Sequence, residues 1–148
     1  MKIPPIVQVT IAAVLAWGLA KHFSVYDFNG ATAQATALIF LILGTFLLTR
    51  SLYLFRIHAT TFNPLEPSKA VKLVISGLYK VTRNPMYLGL AFLLLAFCLF
   101  LGELISLVCL PLFLWTMTRW QIIAEEEALT RKFGDDYLNY KKQVRRWL

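Results

Sequence analysis

Gly77-Leu78-Tyr79-Lys80-Val81-Thr82-Arg83-Asn84-Pro85-Met86-Tyr87-Leu88-Gly89 is a polar, basic segment that runs directly into a long apolar stretch. Asn84-Pro85 is a stop followed by a start. Proline at a first helical position lacks only an N–H that would be unpaired anyway, and the residue before it is pushed out of the helical region. A helix is therefore predicted to begin near Pro85. Its first turns carry Tyr87 and Gly89, an aromatic ring and a bare patch of backbone, and Arg83 sits just ahead of helix-start amides that favour an anionic group. The stretch describes an anion-accepting corner at the edge of a bilayer.

The composition supports the bilayer. With 148 residues the length suits one domain, but 58% hydrophobic and 14% aromatic residues leave too little polar surface to coat a water-soluble globule. The mean hydropathy of +0.62 agrees. A formal charge of +7 raises the question of nucleic acid, yet the charges lie in short blocks between apolar runs, where topology and anionic lipid headgroups account for them. No nucleic-acid partner is expected. Cys98 and Cys109 fall inside apolar runs without CxxC spacing or flanking histidines, so they read as packing residues, and no metal site is expected. The first apolar run lacks a convincing small-residue cleavage site and is long enough to stay as a span.

Four apolar runs follow in order: about 3–20, 31–54, 86–101 and 104–123. At ~1.5 Å rise per residue the first just crosses a hydrocarbon layer of ~30 Å. Lys21 to Gly30 forms a short loop with interfacial aromatics. Arg50 lies in the last turns of the second run, where it must snorkel or pair. Residues 55–85 form a basic connector, broken by Pro64 and Pro67, with Val71 to Ile75 as a short interfacial strand or helix. From Arg50 to Arg83 there are six basic residues and one acidic, a net +5 that places the connector on the cytoplasmic side. Gly102-Glu103 allows only a tight helical hairpin. Pro111 should kink the fourth helix. Beyond Ile123 the chain becomes strongly charged, and 124–148 reads as an amphipathic cytoplasmic helix with Gly134 as a candidate break. The predicted fold is all-α and polytopic, with about four transmembrane helices and both termini in the cytoplasm. Nothing in the residues fixes the oligomeric state.

The hairpin brings two polar elements to one surface, the Arg83-Asn84-Pro85 corner and the Glu125-Glu126 cluster. An arginine facing carboxylates suits a zwitterionic ligand such as S-adenosylmethionine, which carries a carboxylate, an ammonium, a sulfonium and ribose hydroxyls. Tyr79, Tyr87 and Trp120 add aromatic faces for the sulfonium, worth on the order of 0.5–2 kcal/mol. Gly89 would let a ligand approach helix three closely. Each residue also has a plainer reading. The aromatics serve as interfacial belt residues, the glutamates as a solvated helix start, and Arg83 as a topology anchor. Only their joint arrangement favours a site.

That corner, together with Glu125-Glu126-Glu127-Ala128-Leu129 and Phe133-Gly134-Asp135-Asp136-Tyr137-Leu138-Asn139-Tyr140, closely resembles the isoprenylcysteine carboxyl methyltransferase family of integral membrane methyltransferases, its small bacterial members included. The match runs from about Arg56 to the C-terminus. The resemblance implies that Arg83, Pro85, Tyr87 and Gly89, with Glu125 and Glu126, form an S-adenosylmethionine pocket at the cytosolic face, to which Tyr79 is added. It also implies that Tyr137 and Tyr140 clamp the C-terminal helix over that pocket. Arg83 and Asn84 are the catalytic candidates. The chain departs from the family's pattern at Asn84, where the best-known eukaryotic members have histidine. Asparagine cannot titrate near neutral pH, which puts in doubt any mechanism with a base there and leaves His58 as a weak candidate.

The function expected is S-adenosylmethionine-dependent methyl transfer to a lipophilic or membrane-associated acceptor, a carboxylate, thiol or amine, in a bacterial or archaeal inner membrane. The expected partners are that small-molecule or lipid substrate and the membrane lipids. Two other classes stay open. One is a membrane reductase of sterol-reductase-like architecture, although the connector leaves little room for the extra phosphate-binding elements of a nicotinamide cofactor. The other is a non-catalytic membrane scaffold.

Overall fold

A computed structural model describes residues 3–57 and 73–148 of the chain, and it is helical nearly throughout. Its helices are α1 (Pro5–His22), α2 (Ala31–Ile57), α3 (Pro85–Leu101), α4 (Cys109–Thr116), α5 (Ile123–Phe133) and α6 (Asp135–Gln143). A 3-10 turn, Gly77–Lys80, precedes α3, and another, Leu104–Val108, leads into α4. A π-helical stretch, Met117–Ile122, joins α4 to α5, so the fourth element runs as one rod from Leu104 to Phe133. Among the described residues, three helices are long and apolar enough to cross a membrane. α3 is equally apolar but has 17 residues, because Pro85 starts it and Gly102, at φ 72°, ends it. Such a helix is about 26 Å long.

α3 is the centre of the bundle and the most enclosed of its helices, with Tyr87 to Ala91, Leu94 and Cys98 all buried. α1 lies along one side, where Gln8, Ala12 and Ala16 repeat every fourth residue and form its narrow buried face. α2 lies along the other. There Gly44 and Gly89 meet so closely that a Cβ on either would stand 2.9 Å from the carbonyl oxygen of the other. Only glycine permits this approach of two backbones within a membrane. Outward, α1 and α2 expose Ile6, Ile11, Val14, Trp17, Leu38 and Ile42, surface suited to lipid.

At the end remote from Pro85, the α3–α4 hairpin is stapled to the loop after α1. Phe28 N–H donates to Gly102 O at 2.8 Å, Leu104 N–H to Tyr26 O at 3.0 Å, and the Ser24 hydroxyl to Glu103 Oε1 at 2.8 Å. The tight hairpin is as expected. Pro111, however, falls in the first turn of α4, just after the 3-10 entry, where its missing N–H has little to lose. The irregularity of this rod lies further on, at Met117–Ile122, and its cause is local. Thr116 and Thr118 hydroxyls take the carbonyls of Phe113 and Leu114, at 3.0 and 2.7 Å, loosening the α ladder where the wider turn begins. Cys98 and Cys109 are buried free thiols packed in the core. Arg50 stands over the Tyr53 ring at 5.2 Å.

α5 and α6 both carry acidic residues in the first turn and basic residues in the last, matching the helix dipole. Gly134, at φ 52°, separates them. His58, Pro64, Pro67 and the first part of the Val71–Ile75 segment lie outside the described residues.

Candidate functional site

Pro85 is the first residue of α3 and is fully buried, with Asn84 held out of helical geometry before it. This places Arg83 at the mouth of the bundle, where the rod returns from the hairpin and delivers Glu125 and Glu126. The two glutamates face different surroundings. Glu125 points at α3: the Tyr87 hydroxyl donates to its Oε1 at 2.6 Å, and the Gln121 side-chain amide donates to the same oxygen. Gln121 also pairs with the Tyr87 hydroxyl. Glu126 is buried on the other side among three cations, Arg83 at 3.3 Å, Lys141 at 3.4 Å and Arg146 at 2.9 Å.

Arg146 grips Glu126 with two parallel bonds, Nε to Oε1 at 2.9 Å and Nη2 to Oε2 at 3.0 Å. The bidentate fork adds geometric specificity as well as energy. The Glu126 hydrogen bond holds the Arg146 guanidinium above its ordinary range. Tyr137 is buried beside the same cluster, and burial, with the Glu126 charge adding to it, pushes its phenol up to about 12. Arg83 is the least satisfied member. Its side chain is only 9% exposed; it pairs with Glu126 and with the Tyr137 hydroxyl, while Nε and Nη1 have no partner at hydrogen-bond geometry among the described residues. Buried guanidinium donors without acceptors are costly, so this geometry calls for an anion.

Residues 144–147 return over the corner. Arg83 N–H donates to Arg145 O at 2.9 Å, the Thr82 hydroxyl to Arg146 O at 3.1 Å, and Asn84 Nδ2 to Arg146 O at 2.9 Å. Trp147 Nε1 donates to Thr118 in the π stretch at 3.2 Å. Tyr140 donates to Tyr79 O at 2.7 Å, tying α6 to the 3-10 turn before α3. With the Tyr137 hydroxyl paired to Arg83, both tyrosines tie α6 to the segment that precedes α3.

Arg83, Asn84, Pro85, Tyr87, Glu125 and Glu126 therefore gather at one end of the bundle. Gly89 does not open toward this end, because Gly44 and Leu48 of α2 fill the space beside it. Helix packing accounts for that glycine. Tyr79 is buried with its hydroxyl on Ser51 of α2. Trp120 faces outward, half exposed, edge-on to Trp115 at 6.2 Å, so its ring is not among the aromatic faces at the corner, where Tyr87 stands. Sequence reasoning missed Gln121, Ser51 and Arg146. Gln121 left one signal, a lone amide in the last turns of an apolar span.

A sequence profile of the phospholipid methyltransferase family matches residues 32–136. A protein-S-isoprenylcysteine O-methyltransferase of Schizosaccharomyces pombe is 34% identical over 125 residues, covering 82% of this chain and 49% of that protein. The Mus musculus protein of the same name is 31% identical over 114 residues, covering 75% and 39%. An uncharacterized protein of Haemophilus influenzae is 44% identical over 63 residues, covering 43% of this chain and all of that one. The chain spans about half the length of the S. pombe relative and about two fifths of the mouse one. No solved structure matches it significantly.

Proposed function

The chain belongs to the phospholipid methyltransferase family, and we propose that it transfers a methyl group from S-adenosylmethionine to a lipophilic or membrane-associated acceptor at the cytoplasmic face. The observation that carries this reading is the buried Arg83 guanidinium, with two nitrogens short of acceptors, at the mouth that also holds Glu125. A guanidinium with donors to spare and a fixed carboxylate suit the two ends of a zwitterionic amino-acid group. The net charge of +5 from Arg50 to Arg83 supports the cytoplasmic orientation.

In this reading the Arg83 guanidinium binds the donor's carboxylate through Nη1, and Glu125 accepts from its ammonium or ribose hydroxyls. Glu126 holds Arg83 and Arg146 in place. Asn84 acts through Arg146, whose carbonyl it fixes, and the strap of residues 144–147 keeps water from the corner. S-adenosylmethionine, when bound, supplies a methyl carbon already activated by its sulfonium. Asn84 offers no base. A carboxylate acceptor needs none, whereas a thiol or amine has to arrive deprotonated. An apolar groove of about 390 Å³ between α1 and α3, lined by Ile6, Val9, Ala13, Leu90 and Phe97, supports a hydrocarbon-bearing acceptor. Leu90 lies within one turn of Tyr87.

The test is calorimetric titration of detergent-purified protein with S-adenosylhomocysteine, alongside Arg83→Lys and a nicotinamide dinucleotide control. Arg83→Lys keeps the charge facing Glu126 and removes the additional guanidinium donors. Saturable binding by the wild type, weakened at least about tenfold in Arg83→Lys, is expected. Folded wild-type protein that binds no S-adenosylhomocysteine would sink the reading, and binding of the dinucleotide instead would favour a reductase.

A further inference from the structure

Gln121 is 1% exposed and lies inside the π stretch Met117–Ile122. Single π turns inside α-helices are uncommon and frequently mark functional positions. Here the helical phase shows what the turn does. Phe113 faces the bundle core. On a straight α-helix, Glu125 would point about 120° away from the Phe113 direction. The π stretch takes up about one extra residue, roughly 100° of rotation, and returns Glu125 to within about 20° of that direction. Glu125 thereby reaches Tyr87 on α3, and Glu126, one residue on, swings toward Arg83 and the strap. Gln121, at the core of the widened turn, donates to the same Glu125 oxygen as Tyr87. Two donors from different helices converging on one oxygen fix the plane of the carboxylate.

We propose that Gln121 is a positioning residue for ligand binding, and that the π turn exists to aim Glu125 at the mouth of the bundle with Gln121 holding its orientation. The proposal rests on the reading of Glu125 as a ligand-binding carboxylate and adds the residue that sets its geometry. The Trp147 to Thr118 bond couples the strap to this same turn, so the C-terminal residues brace the device from outside.

The experiment is a double-mutant cycle read as affinity for S-adenosylhomocysteine, with the unfolding midpoint of each ligand-free variant measured in parallel. Gln121→Met conserves volume and removes the donor, and Gln121→Leu serves as a second variant. Each is placed in the wild-type and Glu125→Gln backgrounds. If Gln121 acts through Glu125, Gln121→Met weakens wild-type binding about tenfold and causes no further loss beyond Glu125→Gln. Equal losses in both backgrounds, or no loss in the wild type, overturn the proposal while leaving the methyltransferase reading intact. Failure of both variants to fold assigns Gln121 to the core and also overturns it. Absence of binding by the folded wild type removes both readings together.

Discussion

Glu125 and Glu126 are adjacent in the chain and share almost nothing else. Among the described residues Glu125 accepts from a phenol of α3 and an amide of its own rod, at the inner side of the corner. Glu126 meets Arg83, Lys141 and Arg146, and through them it joins the start of α3, α6 and the C-terminal strap. One carboxylate is set up by hydrogen bonds in a fixed plane. The other is the hub of a buried ion cluster. On the proposed reading the paired-glutamate motif divides into a binding group and a structural one, with the helical phase of the π stretch making the division.

The largest effect that would sharpen this contrast is on stability. Glu126→Gln leaves Arg83 buried without its counter-charge, and breaking a buried pair by removing one partner costs about 3–5 kcal/mol. The unfolding midpoint in detergent is expected to fall on the order of 10 °C. A shift of less than about 2 °C would show that the cluster does not hold the fold. Gly89→Ala comes next, because its Cβ would meet Gly44 O at 2.9 Å and Leu48 at 3.0 Å. A loss of about 1–3 kcal/mol is expected from the forced separation of α2 and α3. If ligand affinity falls instead and the midpoint holds, Gly89 belongs to the binding side of the comparison. Tyr140→Phe removes one buried hydrogen bond to Tyr79 O and is expected to cost about 1 kcal/mol. Chemical denaturation resolves a change of that size, and none at all would mean that α6 is held by the Glu126 cluster alone.

Much of this architecture is legible in the sequence because its signals are local. Asn84-Pro85 starts a helix, Gly102 ends one, Gly134 divides two, and apolar run lengths locate the spans. The motif residues Arg83, Tyr87, Glu125 and Glu126 converge because a two-residue hairpin leaves no other option. The remaining features depend on quantities that residue types do not encode locally. The return of the strap onto residues 82–84 rests on one backbone hydrogen bond and two from the Thr82 and Asn84 side chains, all long-range and invisible to pattern. The π stretch shifts helical phase by one residue, and with it which glutamate faces which neighbour. Trp120 reads as a pocket aromatic by position and turns outward for the same reason of phase. Gly89 reads as room for a ligand, but the room is filled by a second glycine from α2, far away in sequence.

The most direct test of the division between the glutamates is the affinity of Glu125→Gln for S-adenosylhomocysteine, measured beside its unfolding midpoint. Gln keeps an acceptor for Tyr87, so the midpoint is expected to stay within about 1 kcal/mol of wild-type stability while affinity drops at least about tenfold. A folded Glu125→Gln protein that binds as tightly as the wild type would contradict the assignment of Glu125 as the binding carboxylate.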